Sequence, residues 1–360
     1  MRDPEQLLRR LDEIVDRPIR IMVVCSSHNR AILQYQLREE LPKNLELVSG
    51  PGCSICVMPT GHVDAFVKVA MQPDVITACC HDLLKLGGSG DISLDSIRAQ
   101  GMAQVEVITS PHDCLELARR EPDKIIVYPA VGFEATAPSV AETILEAACE
   151  GIDNFCVIPS IRLLPPTIDS IMRDPDLDIH GLLCSDHVTT ISDTEAYKAL
   201  AKKHNLACCV AGFEKADILR GLISMAMQIR HGASLFDVGS AVIYSSVENS
   251  YARQMVSEVF FAVDTAWRGL GTIAESGFVI RDELSLYDAT KRFNVRFLEG
   301  EEQCACHCDM IISGRGLPPD CPSFGMACTP QNPIGPCMLA SEGICASYFR
   351  YNMQNGRHVL

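Results

Sequence analysis

The chain has little of what would tie it to a nucleic acid or a membrane. Lysine and arginine number 31 against 46 aspartates and glutamates, for a formal net charge of −15. They form no basic block that could follow a phosphate backbone, which argues against nucleic-acid binding. No apolar run approaches the roughly 18 residues that a membrane span needs. The opening, MRDPEQLLRRLDEIVDRP, reads as a charged amphipathic helix without the apolar core of a secretory signal. The expectation is a soluble cytoplasmic protein. Its 360 residues, 47% hydrophobic and 21% charged, suffice for two or three domains.

What the chain does have is cysteine, 18 residues of it. In a small secreted protein these would staple loops; without an export signal they point to metal binding or electron exchange. Cys304, Cys306, Cys308, Cys321, Cys328, Cys337 and Cys345 all fall in the last 57 residues. Cys79–Cys80 and Cys208–Cys209 lie in the apolar runs DVITACC and LACCVAG. These four, with Cys114, Cys149, Cys156 and Cys184, read as core, where a free thiol packs like a small hydrophobe.

Short apolar runs at 19–25, 74–80, 103–109, 124–130, 155–159, 181–185 and 206–212 alternate with stretches of helical period such as AILQYQLREEL and SVAETILEAACEG. Alternating strands and helices predict an α/β fold of parallel sheets, with the chemistry on loops at the strand carboxyl ends. In SPHDCLELARREP, Ser110 is placed to cap a helix with Pro111 first. Gly-Phe-Glu follows an apolar run twice, at 132–134 and 212–214, a hint of duplicated layers. The stretch NSYARQMVSEVFFAVDTAWRGLG reads as one helix with the single tryptophan, Trp267, near its end. Beyond residue 300, Pro318, Pro319, Pro322, Pro330, Pro333 and Pro336 forbid long helices. So loop-rich a segment needs a metal to hold its shape.

Three segments carry chemistry. Cys308, Cys321, Cys328 and Cys345 are separated by 12, 6 and 16 residues. Soft thiolates on turns suit a [4Fe–4S] cube; four-cysteine zinc is the alternative, less favoured because zinc knuckles bring close pairs. The other three terminal cysteines stay candidates on composition alone. In GPGCSICVMP, Cys53 and Cys56 sit on a bend and can close and reopen a disulfide ring; half a zinc site is the poorer reading. In VVCSSHNR, Cys25 ends a strand and His28 follows on the turn. They read as a nucleophile with its base, as two ligands of one metal, or as a buried thiol beside a surface histidine.

These segments, with GFEATAP at 132, VAGFE at 210, WRGLG at 267 and CDMIISG…DCPSFGMACTPQNPIGPCMLASEGICASYFRY from 308, resemble the hydrogenase maturation factor HypD family along nearly the whole length. The resemblance implies two similar parallel-sheet α/β layers around a central cleft plus a C-terminal iron–sulfur domain. The expected division is 19–120, 121–232, and 1–18 together with 233–360. It implies that Cys308, Cys321, Cys328 and Cys345 ligate a [4Fe–4S] cluster. It further implies that Cys25, with a cysteine of a small HypC-like partner, holds an iron that receives CO and two CN⁻ ligands. Cyanide would come from a thiocyanate on a HypE partner, and the finished unit would pass to the large subunit of [NiFe]-hydrogenase. Cys53 and Cys56 become a redox dithiol linked to the cluster, and His187 and Glu342 lie near the iron centre. His28 would take or share the proton of Cys25.

The chain departs from the family around that centre. Where the family has Cys-Gly-Gly-His-Thr-His, this sequence reads CSSHNR, placing Ser26, Ser27 and Arg30 in the variant positions; Ser54-Ile55 and Ser185-Asp186 are further departures. A paralogue serving another client, an iron–sulfur disulfide reductase and a zinc-binding module remain as competing readings.

Overall fold

The computed structural model describes residues 3–185, 194–238, 246–298 and 306–353. Eleven strands lie among them: β1 (Ile19–Val23), β2 (Leu45–Ser49), β3 (Val75–Cys79), β4 (Gln104–Val107), β5 (Ile125–Gly132), β6 (Phe155–Ile161), β7 (Gly181–Ser185), β8 (Ala207–Ala211), β9 (Phe236–Val238), β10 (Phe260–Trp267) and β11 (Gly271–Ile280). Two sheets are wholly parallel, in the orders β2-β1-β7-β8-β9 and β4-β3-β5-β6. The α/β expectation therefore holds. Every residue of β6, β7 and β8 is buried, as strands covered on both faces require.

The chain forms two compact units, Met1–Cys56 with Leu164–Ser245 and Ala305–Leu360, and Val57–Leu163 with Ser246–Cys304. The first contains the five-stranded sheet. Its helix α1 (Pro4–Ile14) is capped by Asp3, whose carboxylate accepts from the Glu5 N–H at 3.2 Å. Leu7 and Leu11 of α1 pack with Ile21, Leu47, Leu183, Leu219 and Leu222. The second contains the four-stranded sheet, with Ile126, Val140, Ile144, Phe155, Val157 and Phe260 in its core. Each sheet draws strands from both of the spans 19–120 and 121–232, because β1 and β2 join β7 and β8 while β3 and β4 join β5 and β6. The cysteine-rich segment falls within the first unit.

Three local readings change. The helix expected across 249–271 ends at Val259 and gives way to the antiparallel hairpin β10–β11. Phe-Phe-Ala-Val-Asp-Thr-Ala-Trp favours a pleated surface with Phe260 and Trp267 turned in; the Trp267 indole N–H donates to Ser276 Oγ at 2.8 Å. The helix after Ser110 starts at Asp113, whose carboxylate accepts from the Thr109 and Ser110 N–H groups, both at 3.0 Å. Cys80 and Cys149 are exposed, whereas Cys79, Cys114, Cys156, Cys184, Cys208 and Cys209 are buried. Gly-Phe-Glu follows β5 in one sheet, at the point where the strand order reverses, and β8 in the other, one strand farther out. The echo is thus not a topological repeat.

Candidate functional site

In the five-stranded sheet the connections leave in opposite directions from β1 and β7, and a parallel sheet opens a crevice at the carboxyl ends of such a pair. Cys25 stands at that point. Val24 continues the pairing through its N–H to Leu183 O at 3.0 Å. Cys25 is extended (φ −95°, ψ 133°) and caps helix α2 (Ser26–Gln34), so its half-buried thiol sits at the helix amino end.

One face of α2 is fixed to the sheet. His28 is fully buried, with Nε2 3.1 Å from Ala211 O and 3.1 Å from Gly212 O. Carbonyls only accept, so Nε2 carries the proton and donates it there; that nitrogen cannot serve as a base for Cys25. The ring also lies 4.7 Å from that of Phe213. Asn29 donates to Val23 O at 3.4 Å and accepts from Ser49 Oγ at 3.3 Å, tying the ends of β1 and β2. His28 is therefore a buried anchor, unlike the surface histidine that one reading allowed.

The bend that follows β2 lies on the end of β1. Gly50 N–H donates to Val23 O at 2.9 Å, and Ser26 N–H to Gly52 O at 3.4 Å. A Cβ on residue 52 would sit 1.8 Å from Val24 O and 2.8 Å from Ser26 N, so only glycine permits this approach. The next residue, Cys53, is disulfide-bonded to Cys56 with Cα atoms 5.2 Å apart, and the Cys56 N–H points to Cys53 Sγ at 3.2 Å. The thiol couple and Cys25 are thus borne on two backbone segments in direct contact.

Glu342 joins this neighbourhood from the far end of the sequence. Its Oε2 accepts from Ser27 Oγ and its Oε1 from Arg30 Nη1, each at 3.1 Å. The helix Ile344–Tyr348 follows at once and packs on α2. Cys308, Cys321, Cys328 and Cys345, with Cys306 and Cys337, line one small cavity that opens to solvent. The bend between Cys321 and Cys328 is closed by Cys328 N–H to Ser323 O at 2.8 Å and Gly325 N–H to Cys328 O at 3.0 Å. Cys328 Sγ accepts from the Ile334 N–H at 3.4 Å. Among the described residues no three donors close onto a single-ion point. Thiols around an interior space are the soft donor set that an iron–sulfur cube takes. His187 lies outside the described residues.

The second unit holds a polar network that the sequence reading missed. Arg162 is fully buried and donates to Ser160 O (3.2 Å), Ser160 Oγ (3.1 Å), Ala266 O (3.1 Å) and His62 Nε2 (3.3 Å). Burial, then the charge of Arg268, brings the guanidinium pKa down to about 9, so it remains a cation at neutral pH. Burial, then Arg162, holds the His62 imidazole well below its usual value. Since Arg162 can only donate, the His62 proton is on Nδ1 and goes to Ser160 Oγ at 3.0 Å. That direction bars His62 from activating Ser160 as a nucleophile. Nothing in the spacing of HVD at 62 and SIR at 160 marked these residues as partners.

The family described as "Hydrogenase formation hypA family", HypD, matches residues 3–352. The chain is 35% identical over 344 residues to the hydrogenase maturation factor HypD of Azotobacter vinelandii, covering 94% of this chain and 90% of that protein. It is 33% identical over 364 residues to the Escherichia coli K12 protein of the same name, covering 98% and 97%. The Rhodobacter capsulatus protein of that name is 33% identical over 354 residues, covering 96% and 93%. On this match, end to end, the chain belongs to the HypD family.

Proposed function

We propose that this protein takes part in hydrogenase maturation as the scaffold, with a HypC-like partner, on which an iron ion acquires CO and two CN⁻ ligands. The observation that carries the reading is the convergence, within one compact unit, of Cys25, the Cys53–Cys56 couple, Glu342 and the terminal cysteine cavity.

The cargo iron would be held by the Cys25 thiolate, a soft donor compatible with a low-spin iron carrying strong-field ligands. The amino end of α2 favours negative charge on that sulfur. His28 orients the helix and keeps its Nε2 proton on the Ala211 and Gly212 carbonyls at the end of β8. Glu342 holds the Ser27–Arg30 face.

Cyanide delivery from a thiocyanate on a HypE-like partner breaks the S–C bond. The partner sulfur leaves with an electron pair's worth of reduction, as a thiolate, and cyanide passes to the iron. Two electrons are consumed per cyanide. Cys53 and Cys56 supply them by closing from dithiol to disulfide with release of two protons. Cys308, Cys321, Cys328 and Cys345 would hold a [4Fe–4S] cluster, which would pass electrons one at a time. Reopening the disulfide, the form present here, takes two protons and two electrons that originate in an external reductant.

The test is anaerobic co-purification with a HypC-like protein from a host competent in hydrogenase maturation, followed by infrared spectroscopy. The proposal expects bands for bound CN⁻ and CO together with brown cluster absorbance. A stable complex with neither sinks it.

A further inference from the structure

The two side chains that hold Glu342 occupy positions where the sequence departs from the family pattern, and both reach the same carboxylate. Ser27 and Arg30 are one turn apart on the same face of α2. Each takes a different oxygen of Glu342 at 3.1 Å. The opposite face is fixed to the sheet through His28 and Asn29. Glu342 sits in the short turn between Cys337 and Cys345. That turn is already tight: a Cβ on Gly343 would lie 2.1 Å from Cys337 O. Tyr351, just past the helix that carries Cys345, and then Glu342 hold the Arg30 guanidinium pKa above its ordinary value.

We infer that Ser27 and Arg30 are positioning residues that clamp Glu342, and with it the Cys337–Cys345 turn, onto the helix that begins at Cys25. Arg30 gives the clamp a permanent charge, where a histidine would let it open and close with pH. The arrangement of the cysteine cavity is thereby felt at the start of α2, and a change in either is passed to the other through one ion pair and one hydroxyl. This deepens the proposed function and rests on it only in taking Cys345 as a cluster ligand and Cys25 as the iron anchor.

Hydrogen exchange with mass spectrometry on the full chain, purified anaerobically, tests the clamp. Arg30→Ala and Glu342→Ala are each expected to speed exchange at residues 341–345 by about 1.4-fold to fivefold, the range for a partly exposed charged contact. The double variant should fall short of the sum of the two single effects, because both changes remove the Arg30–Glu342 contact. Both single variants should raise the alkylation rate of Cys25 by iodoacetamide, and Arg30→Lys should recover part of the protection. Should Arg30→Ala not fold, the reversed pair Arg30→Glu with Glu342→Arg is expected to fold and restore protection. Additive effects, exchange unchanged at 341–345, or Arg30→Lys indistinguishable from Arg30→Ala would each overturn the inference. An absence of infrared bands in the wild-type complex would instead sink the assembly reading and leave this exchange result standing.

Discussion

Replacing Gly52 by alanine strikes the contact that brings the thiol couple to Cys25. The added methyl would lie 1.8 Å from Val24 O and 2.8 Å from Ser26 N, both backbone atoms that cannot rotate away. Forcing a group into packed surroundings costs about 1–3 kcal/mol. Displacing the loop also removes the Ser26 N–H to Gly52 O bond, worth about 0.5–1.5 kcal/mol net. Stiffening the unfolded chain returns about 0.4–1 kcal/mol where alanine fits the native backbone. The balance is a loss of roughly 0.5–4 kcal/mol. For a unit of roughly 150–250 residues that lowers the melting temperature by about 2–4 °C per kcal/mol. Differential scanning calorimetry of the reduced, cluster-free protein reads it without interference from metal. Exchange at residues 50–56 and 24–27 should rise together, since the segments hold each other. An alanine variant that melts at the wild-type temperature with both segments protected would refute the close approach.

Three further outcomes follow from other parts of the molecule. Asp169 is desolvated, which by itself would raise its pKa, but hydrogen bonds from Lys203, His204 and Arg173 hold it far below the usual carboxylate range. Its stabilisation is therefore complete above the unfolded value of about 3.9 and lost as pH falls below it; Asp169→Asn should flatten the acid limb of a stability–pH curve. Arg162→Met leaves Ser160 O, Ala266 O and His62 Nε2 buried without their donor, at about 1–3 kcal/mol each before relaxation. A urea midpoint equal to or above wild type would contradict the network. Burial pushes the Cys79, Cys156 and Cys208 thiols up to about 12, so native alkylation near pH 8 should modify exposed Cys149 and spare these three, as peptide mapping would show.

Much of the architecture was legible because parallel strands buried on both faces are written as apolar runs: β3 and β5 to β8 coincide with such runs, as does β1 apart from Arg20, while the edge strand β4 showed only as a mixed one. β2 was not, since Leu-Glu-Leu-Val-Ser is short and exposes Glu46 at the sheet edge. β9, three residues at the other edge, offered still less. The hairpin β10–β11 was hidden because the helix before it runs directly into Phe260 with no proline or glycine to mark the change. The division into units was illegible for a different reason. Periodicity shows that a strand exists but not which neighbour it pairs with, and here the chain alternates between two sheets. At the site, Cys25, Cys53 and Cys56 could be picked out by type and position, and the terminal cysteines as a group. The clamp could not, since Arg30 and Glu342 are 312 positions apart and each alone reads as a solvated charge. Gly52 had a visible cause in the Gly-Pro-Gly bend, yet nothing in it named Val24 as the atom being approached.

The most direct test compares Cys25→Ala with wild type, each purified anaerobically with the HypC-like partner and examined by infrared and visible absorption together. If Cys25 anchors the cargo iron beside an independent four-thiol site, the variant keeps its brown absorbance and loses every CN⁻ and CO band. Bands of wild-type intensity in Cys25→Ala would contradict the account.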